Sequence, residues 1–275
     1  MKTTIIRLAT LLCAALVSQT LSAAVMLAGG LTHEHQLQPG GRVTGILNLR
    51  NTSNQTEEIK IYQADVRVNG DGSTDFIAGT GGHQRSNASW ISLATDRVIL
   101  PPGGSQQVSY SLQVPANPAT QGSYWSTLML EPVAMSHPDS QLRLPDDRPN
   151  VKIQQKIRYA VRVLSHVGSN GQANLTFTPP KINKDEQGQR WFNVDIRNTG
   201  NQFSRADVWL DVFHANGQQA GRFKAEARSL YVGERKDFAI NIARLTPGKY
   251  KALLAAEDNQ TGQIFGSDIN LSINP

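Results

Sequence analysis

A two-residue alternation of apolar and polar side chains dominates the chain from about residue 25 onward. Val108, Tyr110 and Leu112, for example, are separated by serines. The alternating runs end at clusters of turn-forming residues such as Asn69-Gly70-Asp71-Gly72. Side chains alternate between the two faces of a strand, whereas a helix repeats every 3.6 residues. The pattern therefore predicts an all-β protein.

The predicted strands fall into two groups. Between Ser165 and Gln172 the composition shifts to Gly, Ser and Asn, which favours a linker. About seven short strands follow it in about 100 residues, as an immunoglobulin-like sandwich requires. We expect two immunoglobulin-like β-sandwich domains in tandem, at residues 25–165 and 166–275. One large barrel or jelly roll is the alternative, and the linker composition argues against it.

The first two dozen residues have the pattern of a secretory signal peptide. A basic start precedes an apolar run over residues 8–17, which is too short to span a bilayer of about 30 Å. Small residues follow, so we expect residues 1–24 to be a signal peptide, with cleavage after Ala23 or Ala24. The protein would then be exported.

Cysteine content and charge exclude several classes of protein. The chain has 275 residues, 1 cysteine, and 27 basic against 22 acidic side chains, for a net charge of +5. A single cysteine cannot form an internal disulfide, a four-thiolate zinc site or an iron–sulfur ligand set. Cys13 lies in the predicted signal peptide. No basic cluster with interleaved aromatic residues indicates nucleic-acid binding.

No group of residues predicts catalysis. His33 and His35 lie two residues apart and would share one face of a strand, where both could reach one metal ion. The sequence offers no third ligand nearby, so exposed polar residues are the favoured interpretation. Asp146 and Asp147 are adjacent and would point to opposite sides of an extended chain, a poor arrangement for acid–base work. We expect no enzyme, no metal and no cofactor.

Residues 151–163 alternate with unusual regularity. Most odd positions are apolar, and the even ones are mostly Lys, Gln or Arg. At about 3.3 Å per residue this strand would exceed 40 Å, longer than a small sandwich usually needs. Its two halves could therefore do different jobs. On periodicity alone, a long core strand with a basic outer face is the favoured interpretation.

Several short motifs occur in the order found in one known family. They are Ala24-Val25-Met26-Leu27, Asn48-Leu49-Arg50-Asn51, Trp90-Ile91, Leu100-Pro101-Pro102-Gly103, Val114-Pro115, Gly122-Ser123-Tyr124-Trp125 and Gln154-Gln155-Lys156-Ile157-Arg158. With these motifs, residues 24–165 resemble the N-terminal domain of the periplasmic pilus-assembly chaperones, the PapD-like family. The second domain matches only as a generic sandwich.

The resemblance implies a binding mechanism. In that family the last strand of the first domain completes the sheet of an incomplete pilin subunit by β-augmentation. The strand around residues 149–158 would be the donor here, with Val151 and Ile153 at donor positions and Leu142 and Leu144 as extensions in the preceding loop. The residues assigned to partner binding are Leu142, Leu144, Val151, Ile153, Lys156, Ile157 and Arg158.

The family also holds the client's C-terminal carboxylate with two basic residues in the interdomain cleft, a charge-assisted contact. Arg158 falls where one of these residues is expected. Alignment from Ala24 places Leu31 where the family has an arginine, with His33 and His35 close by in the sequence. The sequence thus departs from the family at the predicted anchor.

The resemblance implies an ATP-independent periplasmic chaperone, monomeric when free, for pilin-like or surface-fibre subunits. An outer-membrane usher would be a further partner, and neither nucleic acid nor a membrane span after signal cleavage is expected. The alternative is a non-catalytic adhesive or cell-wall-binding module on the same fold, at the cell surface or secreted, because fold alone does not fix function.

Overall fold

The computed structural model describes residues 24–68, 74–133 and 157–274. The predicted signal peptide lies outside these ranges except for Ala24. Within them the chain forms β-strands and a single turn of 3-10 helix at Ala88–Trp90. No helix in these ranges is long and apolar enough to cross a membrane.

Within the described residues, ten strands form the first sandwich. They are β1 (Val25–Ala28), β2 (Thr32–Leu37), β3 (Arg42–Asn51), β4 (Glu57–Val68), β5 (Thr74–Ala78), β6 (Ile91–Leu93), β7 (Arg97–Leu100), β8 (Ser105–Gln113), β9 (Gly122–Pro132) and β10 (Tyr159–Val167). One sheet has the order β1-β3-β8-β6. The facing sheet has the order β2-β10-β9-β4-β5, and β7 pairs with the start of β4 on the edge opposite to β9.

Nine strands form the second sandwich. They are β11 (Leu175–Phe177), β12 (Lys181–Lys184), β13 (Arg190–Asn198), β14 (Ser204–Phe213), β15 (Gln219–Lys224), β16 (Arg228–Leu230), β17 (Arg235–Asn241), β18 (Gly248–Asp258) and β19 (Gln263–Ile273). In one sheet β13 pairs with β11, β12 and β17. The other has the order β15-β14-β18-β19, and β16 also pairs with β14.

Each sandwich has its own apolar core, built from alternate residues of facing strands. Val108, Tyr110 and Leu112 of β8 are each at most 1% exposed in the first core. Val208 and Leu210 of β14 are at most 2% exposed in the second core. Burying a side chain of this size contributes about 1.5–3 kcal/mol. The predicted all-β fold with two immunoglobulin-like sandwiches is confirmed.

Strand β10 extends further than the sequence predicts. Its pairing with β9 continues through Val167, so the first three residues of the predicted linker are strand. The polar side chains that suggested a linker are buried and bonded: Asn87 Nδ2 donates to Ser165 Oγ over 2.8 Å, and His166 Nδ1 lies 2.8 Å from Ser123 Oγ. The division into domains at residues 165/166 remains a prediction.

One edge of β10 is only partly covered. β10 pairs with β9 from Tyr159 to Val167, but β2 pairs with its other edge, in parallel, only from Arg162 onward. The pairing begins where Arg162 N donates to Leu31 O over 2.8 Å. Among the described residues, the edge from Tyr159 to Val161 therefore has no neighbouring strand on the β2 side.

Candidate binding site

The two sandwiches meet through a small aromatic cluster. Trp125 of β9 and Leu164 of β10 pack against Phe203 and Tyr231 of the second sandwich. The ring centroids of Trp125 and Tyr231 are 4.7 Å apart, and those of Phe203 and Tyr231 are 5.4 Å apart. Gly122 to Leu130 of β9 are buried without interruption, so residues on both faces of this strand are covered. β9 therefore contributes to the core of the first sandwich and to this contact.

A polar network fixes the same interface. Glu34 of β2 accepts hydrogen bonds from Arg205, over 2.8 Å, and from Gln260 of the second sandwich. Its other contact is His166 Nε2, 2.7 Å away. Burial by itself raises the pKa of Glu34, but His166 and Arg205 outweigh this and hold that pKa below its usual value. Phe203 N donates to Ser123 Oγ over 2.8 Å, which extends the network between the sandwiches.

A pocket of about 270 Å³ lies next to the aromatic cluster, between the sandwiches. Leu31, Val66 and Phe76 give it an apolar wall, and Leu31 and Phe76 are 52% and 46% exposed at its mouth. Its volume is slightly below the range of drug-sized ligand sites, about 300–1,000 Å³.

Charged groups line the opposite side of this pocket. Arg162 of β10 and Lys236 of β17 bring two positive charges, and Glu234 brings one negative charge. Lys236 Nζ is 3.2 Å from Glu234 Oε1, and the Arg162 guanidinium lies 5.3 Å from the ring centroid of Tyr231. The pocket is net positive, so it suits an anionic group such as a carboxylate.

Tyr231 forms the floor of the pocket as a neutral phenol. Its side chain is 4% exposed, and burial raises the pKa of Tyr231 to about 12. Its hydroxyl has no hydrogen-bond partner among the described residues. An unpartnered buried hydroxyl costs about 1–3 kcal/mol.

The residues predicted from the sequence are only partly described. Leu142, Leu144, Val151, Ile153 and Lys156 lie outside the described residues. Two predicted residues that precede β10 are described, and they are Ile157 and Arg158.

The structure places these two residues at the exposed start of β10. Ile157 is 42% exposed. Arg158 is exposed and close to Tyr62 of β4, where it opposes the rise in the pKa of Tyr62 that burial and Glu131 produce. The hydroxyl of Tyr159 donates to Val25 O of β1 over 2.9 Å and anchors the start of β10 to the facing sheet.

Arg158 is not among the residues that line the pocket, whereas Arg162 is. The two arginines share a strand face, since they are four positions apart. The sequence contained this signal: Arg162 is the next basic residue on that face. No sequence pattern pointed to Lys236 and Tyr231, because they come from the second sandwich.

No family model matches the sequence, and no curated protein matches it. Solved structures do. One, from work on a chaperone–tip adhesin complex in CFA/I fimbriae biogenesis, is 14% identical, with a TM-score of 0.50 over 90% of this chain and 98% of that one. Another, the CsuC–CsuE chaperone–tip adhesion subunit pre-assembly complex from Acinetobacter baumannii, is 13% identical, with a TM-score of 0.45 over 90% and 98%. The chain has the two-sandwich fold of the PapD-like fimbrial chaperones, and the predicted resemblance is confirmed at the level of fold.

Proposed function

We propose that the chain is a periplasmic, ATP-independent chaperone for pilin-like or surface-fibre subunits. It binds a subunit by donating the strand around residues 149–158 to the subunit's incomplete sheet. The observation that carries this proposal is the open edge of β10 from Tyr159 to Val161, which continues directly from that segment. An open edge of this kind is normally an aggregation hazard, and here it would be the working surface.

Strand β2 would set where the client strand stops. β2 occupies the same edge of β10 from Arg162 onward, where Thr32 is its first paired residue. A client strand on this edge must therefore end where β2 begins. The pocket with Arg162 and Lys236 lies at that point. A client strand parallel to β10 would bring its C-terminal carboxylate to these two cations, where a charge-assisted contact can form.

The donor positions are those that the resemblance to the chaperone family implies. Val151, Ile153 and Ile157 would point into the subunit groove, with Leu142 and Leu144 as extensions. Lys156 and Arg158 would lie on the other strand face of the donor segment, and their charge would limit self-pairing of the free protein. The structures with which the chain shares its fold include a chaperone with a tip adhesin, which supports a fibre subunit as partner. An outer-membrane usher would receive the complex.

Co-expression with the fibre subunits encoded by neighbouring genes tests the proposal. We expect a one-to-one complex on size-exclusion chromatography. Ile153→Asp, alone or with Val151→Asp, should abolish it because a carboxylate would be buried in the apolar groove. Gln154→Asp is the matched control, since it puts the same side chain next to Ile153 but on the other strand face.

A complex that survives Val151→Asp with Ile153→Asp would contradict strand donation. Binding to isolated cell wall that is insensitive to these changes, but lost with the second sandwich, would instead indicate the adhesive alternative. Arg162→Gln should weaken subunit binding more than Arg158→Gln if the carboxylate is held in the pocket.

A further inference from the structure

Three Asn-Gly pairs occur in the sequence, and the structure describes the backbone of two of them. Asn170-Gly171 lies in the connection between β10 and β11, and Asn216-Gly217 lies in the turn between β14 and β15. The third pair, Asn69-Gly70, lies outside the described residues. Asparagine deamidates when the next backbone nitrogen attacks its side chain, and glycine has no Cβ to hinder this attack. The two described pairs hold that nitrogen differently.

Hydrogen bonds of the turn restrain the Asn216-Gly217 pair. Gly217 N donates to His214 O over 2.9 Å, and His214 N donates to Gln218 O over 2.8 Å. Asn216 Oδ1 accepts from Gln218 N over 3.0 Å, which directs the side chain toward Gln218. The Gly217 nitrogen must lose its hydrogen before it can attack, so the turn bond and the side-chain bond both oppose the reaction.

The Asn170-Gly171 pair lacks these restraints. Neither residue belongs to a strand or a turn, and Gly171 N has no hydrogen-bond partner among the described residues. Asn170 is exposed, and Ser169 Oγ donates to its Oδ1 over 3.3 Å. A hydrogen bond at Oδ1 polarises the side-chain carbonyl and stabilises the negative charge that develops on this oxygen during attack. The connection therefore leaves both reacting atoms, the nitrogen and the carbon, available.

We propose that Asn170 is a site of spontaneous deamidation in the folded protein, whereas Asn216 is protected. The Gly171 nitrogen loses its proton to water or hydroxide and attacks Cγ of Asn170. The new N–C bond closes a five-membered succinimide ring, and the side-chain nitrogen leaves as ammonia. Water then opens the ring at one of its two carbonyls, which gives aspartate or isoaspartate. Neither step is a redox step, and water is the co-reactant.

The modified residue lies between two points that are fixed to different sandwiches. Gly168 N donates to Leu37 O of the first sandwich over 2.9 Å, and Gln172 N donates to Asn201 Oδ1 of the second over 2.7 Å. Isoaspartate carries the main chain through the former side chain, so it adds a methylene group to the chain between these points. The added length should loosen contacts between the sandwiches, such as the bond from Ser123 N to Asn201 O at 2.9 Å.

Incubation of the full protein at mildly alkaline pH, followed by peptide mapping with mass spectrometry, tests the site. We expect aspartate and isoaspartate to form at Asn170 about tenfold faster than at Asn216, the ratio expected when one hydrogen bond must break before the reaction. The same incubation in concentrated urea is the control, because unfolding removes the turn at Asn216 and should bring the two rates together. Equal rates in the folded protein, or a difference that persists in urea, would overturn the proposal.

Hydrogen exchange at the Ser123 amide measures the consequence for the interface. Exchange should become faster in the incubated wild type, whereas Asn170→Gln, which closes the ring far more slowly, should keep the rate of the fresh protein. Asn170→Asp is the matched control for charge, since it carries the new carboxylate on an ordinary backbone, and it should also exchange slowly. Equally fast exchange in fresh Asn170→Asp would refute the role of the added methylene group.

Discussion

The same six-residue turn ends a strand in each sandwich, but its two copies have different neighbours. One copy, Arg50-Asn51-Thr52-Ser53-Asn54-Gln55, begins with the last two residues of β3. The other, Arg197-Asn198-Thr199-Gly200-Asn201-Gln202, begins with the last two residues of β13, and the two are identical at five of six positions. Thr52 N donates to Ala24 O over 2.9 Å, and Thr199 N donates to Asn174 O over 2.7 Å. Both sandwiches thus close one strand end with the same hydrogen-bonding device.

The surroundings of the two turns differ at the residue that differs in sequence. Ser53 is partly exposed, and its hydroxyl donates to Gln55 O over 3.0 Å. Gly200 lies against the backbone of the chain that enters the second sandwich, where a Cβ would be 2.6 Å from Asn174 N. Asn201 next to it accepts from Ser123 N of the first sandwich over 2.9 Å. One turn faces solvent, and the other joins the sandwiches.

The largest expected effect comes from the residue that the two turns share. Asn51 Nδ2 donates to Leu100 O over 2.9 Å and Asn198 Nδ2 to Gln202 O over 2.7 Å, and both side chains are fully buried. Asn51→Ala or Asn198→Ala would leave buried carbonyls unsatisfied, at a cost of about 3 kcal/mol in the free energy of unfolding. Urea denaturation measures the loss, and hydrogen exchange locates it in the first or the second sandwich.

Asn54→Ala is the control for the first turn, since Asn54 is exposed. Its effect should stay within about 0.5 kcal/mol. Equal effects of Asn54→Ala and Asn51→Ala would show that the turn sequence, rather than the buried amide, carries the stability.

Replacing each of Ser53 and Gly200 by the residue of the other turn should destabilise the protein to different extents. Gly200→Ser makes the second turn identical to the first, and its Cβ would force the backbone at Asn174 to move, at about 2 kcal/mol. Ser53→Gly should cost about 1 kcal/mol or less, through a lost hydroxyl bond and added chain entropy. Thermal unfolding of both variants checks this order, and similar losses would refute the packing explanation.

Glu34 adds a second set of contacts across the interface that the second turn joins, through Arg205 and Gln260. Glu34→Gln should therefore loosen the interface without unfolding either sandwich. The Glu34 and Arg205 side chains are 27% and 45% exposed, so solvent screening limits the pair to about 1 kcal/mol. A double-mutant cycle with Arg205→Gln measures the coupling, and small-angle scattering follows the angle between the sandwiches. A coupling of zero would show that the Glu34–Arg205 pair does not stabilise the interface.

Local patterns made the strands predictable. The alternation in Val108, Tyr110 and Leu112 reports which side faces the core, because the period of a strand is two residues wherever its partner lies. The repeated turn is also present in the sequence, as five identical residues in two segments that lie 147 positions apart. A search for internal repeats detects it.

Contacts between residues that are distant in the sequence could not be predicted in this way. Tyr110 meets His33 from 77 residues away in the sequence, and Arg162 meets Tyr231 only through the packing of two sandwiches. Ser165 and His166 resembled linker residues because their partners, Asn87 and Ser123, are also distant. Composition reports polarity, whereas burial of a polar group depends on the partner that satisfies it.

The smallest expected effect is a difference in acid sensitivity between the sandwiches. In the first, His83 stacks on Trp125 at 4.8 Å and its Nε2 is 3.9 Å from Asp65 Oδ1. Burial lowers the pKa of His83, although Asp65 opposes this. In the second, Arg222 bonds Asp211 over 2.6 Å and holds the pKa of Asp211 below its usual value.

The two shifts act in different pH windows. The folded state disfavours protonated His83, so its contribution to the stability of the first sandwich is complete above the unfolded pKa near 6.5 and is lost as the pH drops below it. The contribution of Asp211 is complete above about pH 4 and is lost only below it. Hydrogen exchange between pH 7 and pH 5, corrected for intrinsic rates, should therefore show loss of protection around Trp125 while β14 keeps its protection. His83→Gln should remove this difference, and a variant that retains the wild-type pH dependence would place the acid sensitivity elsewhere.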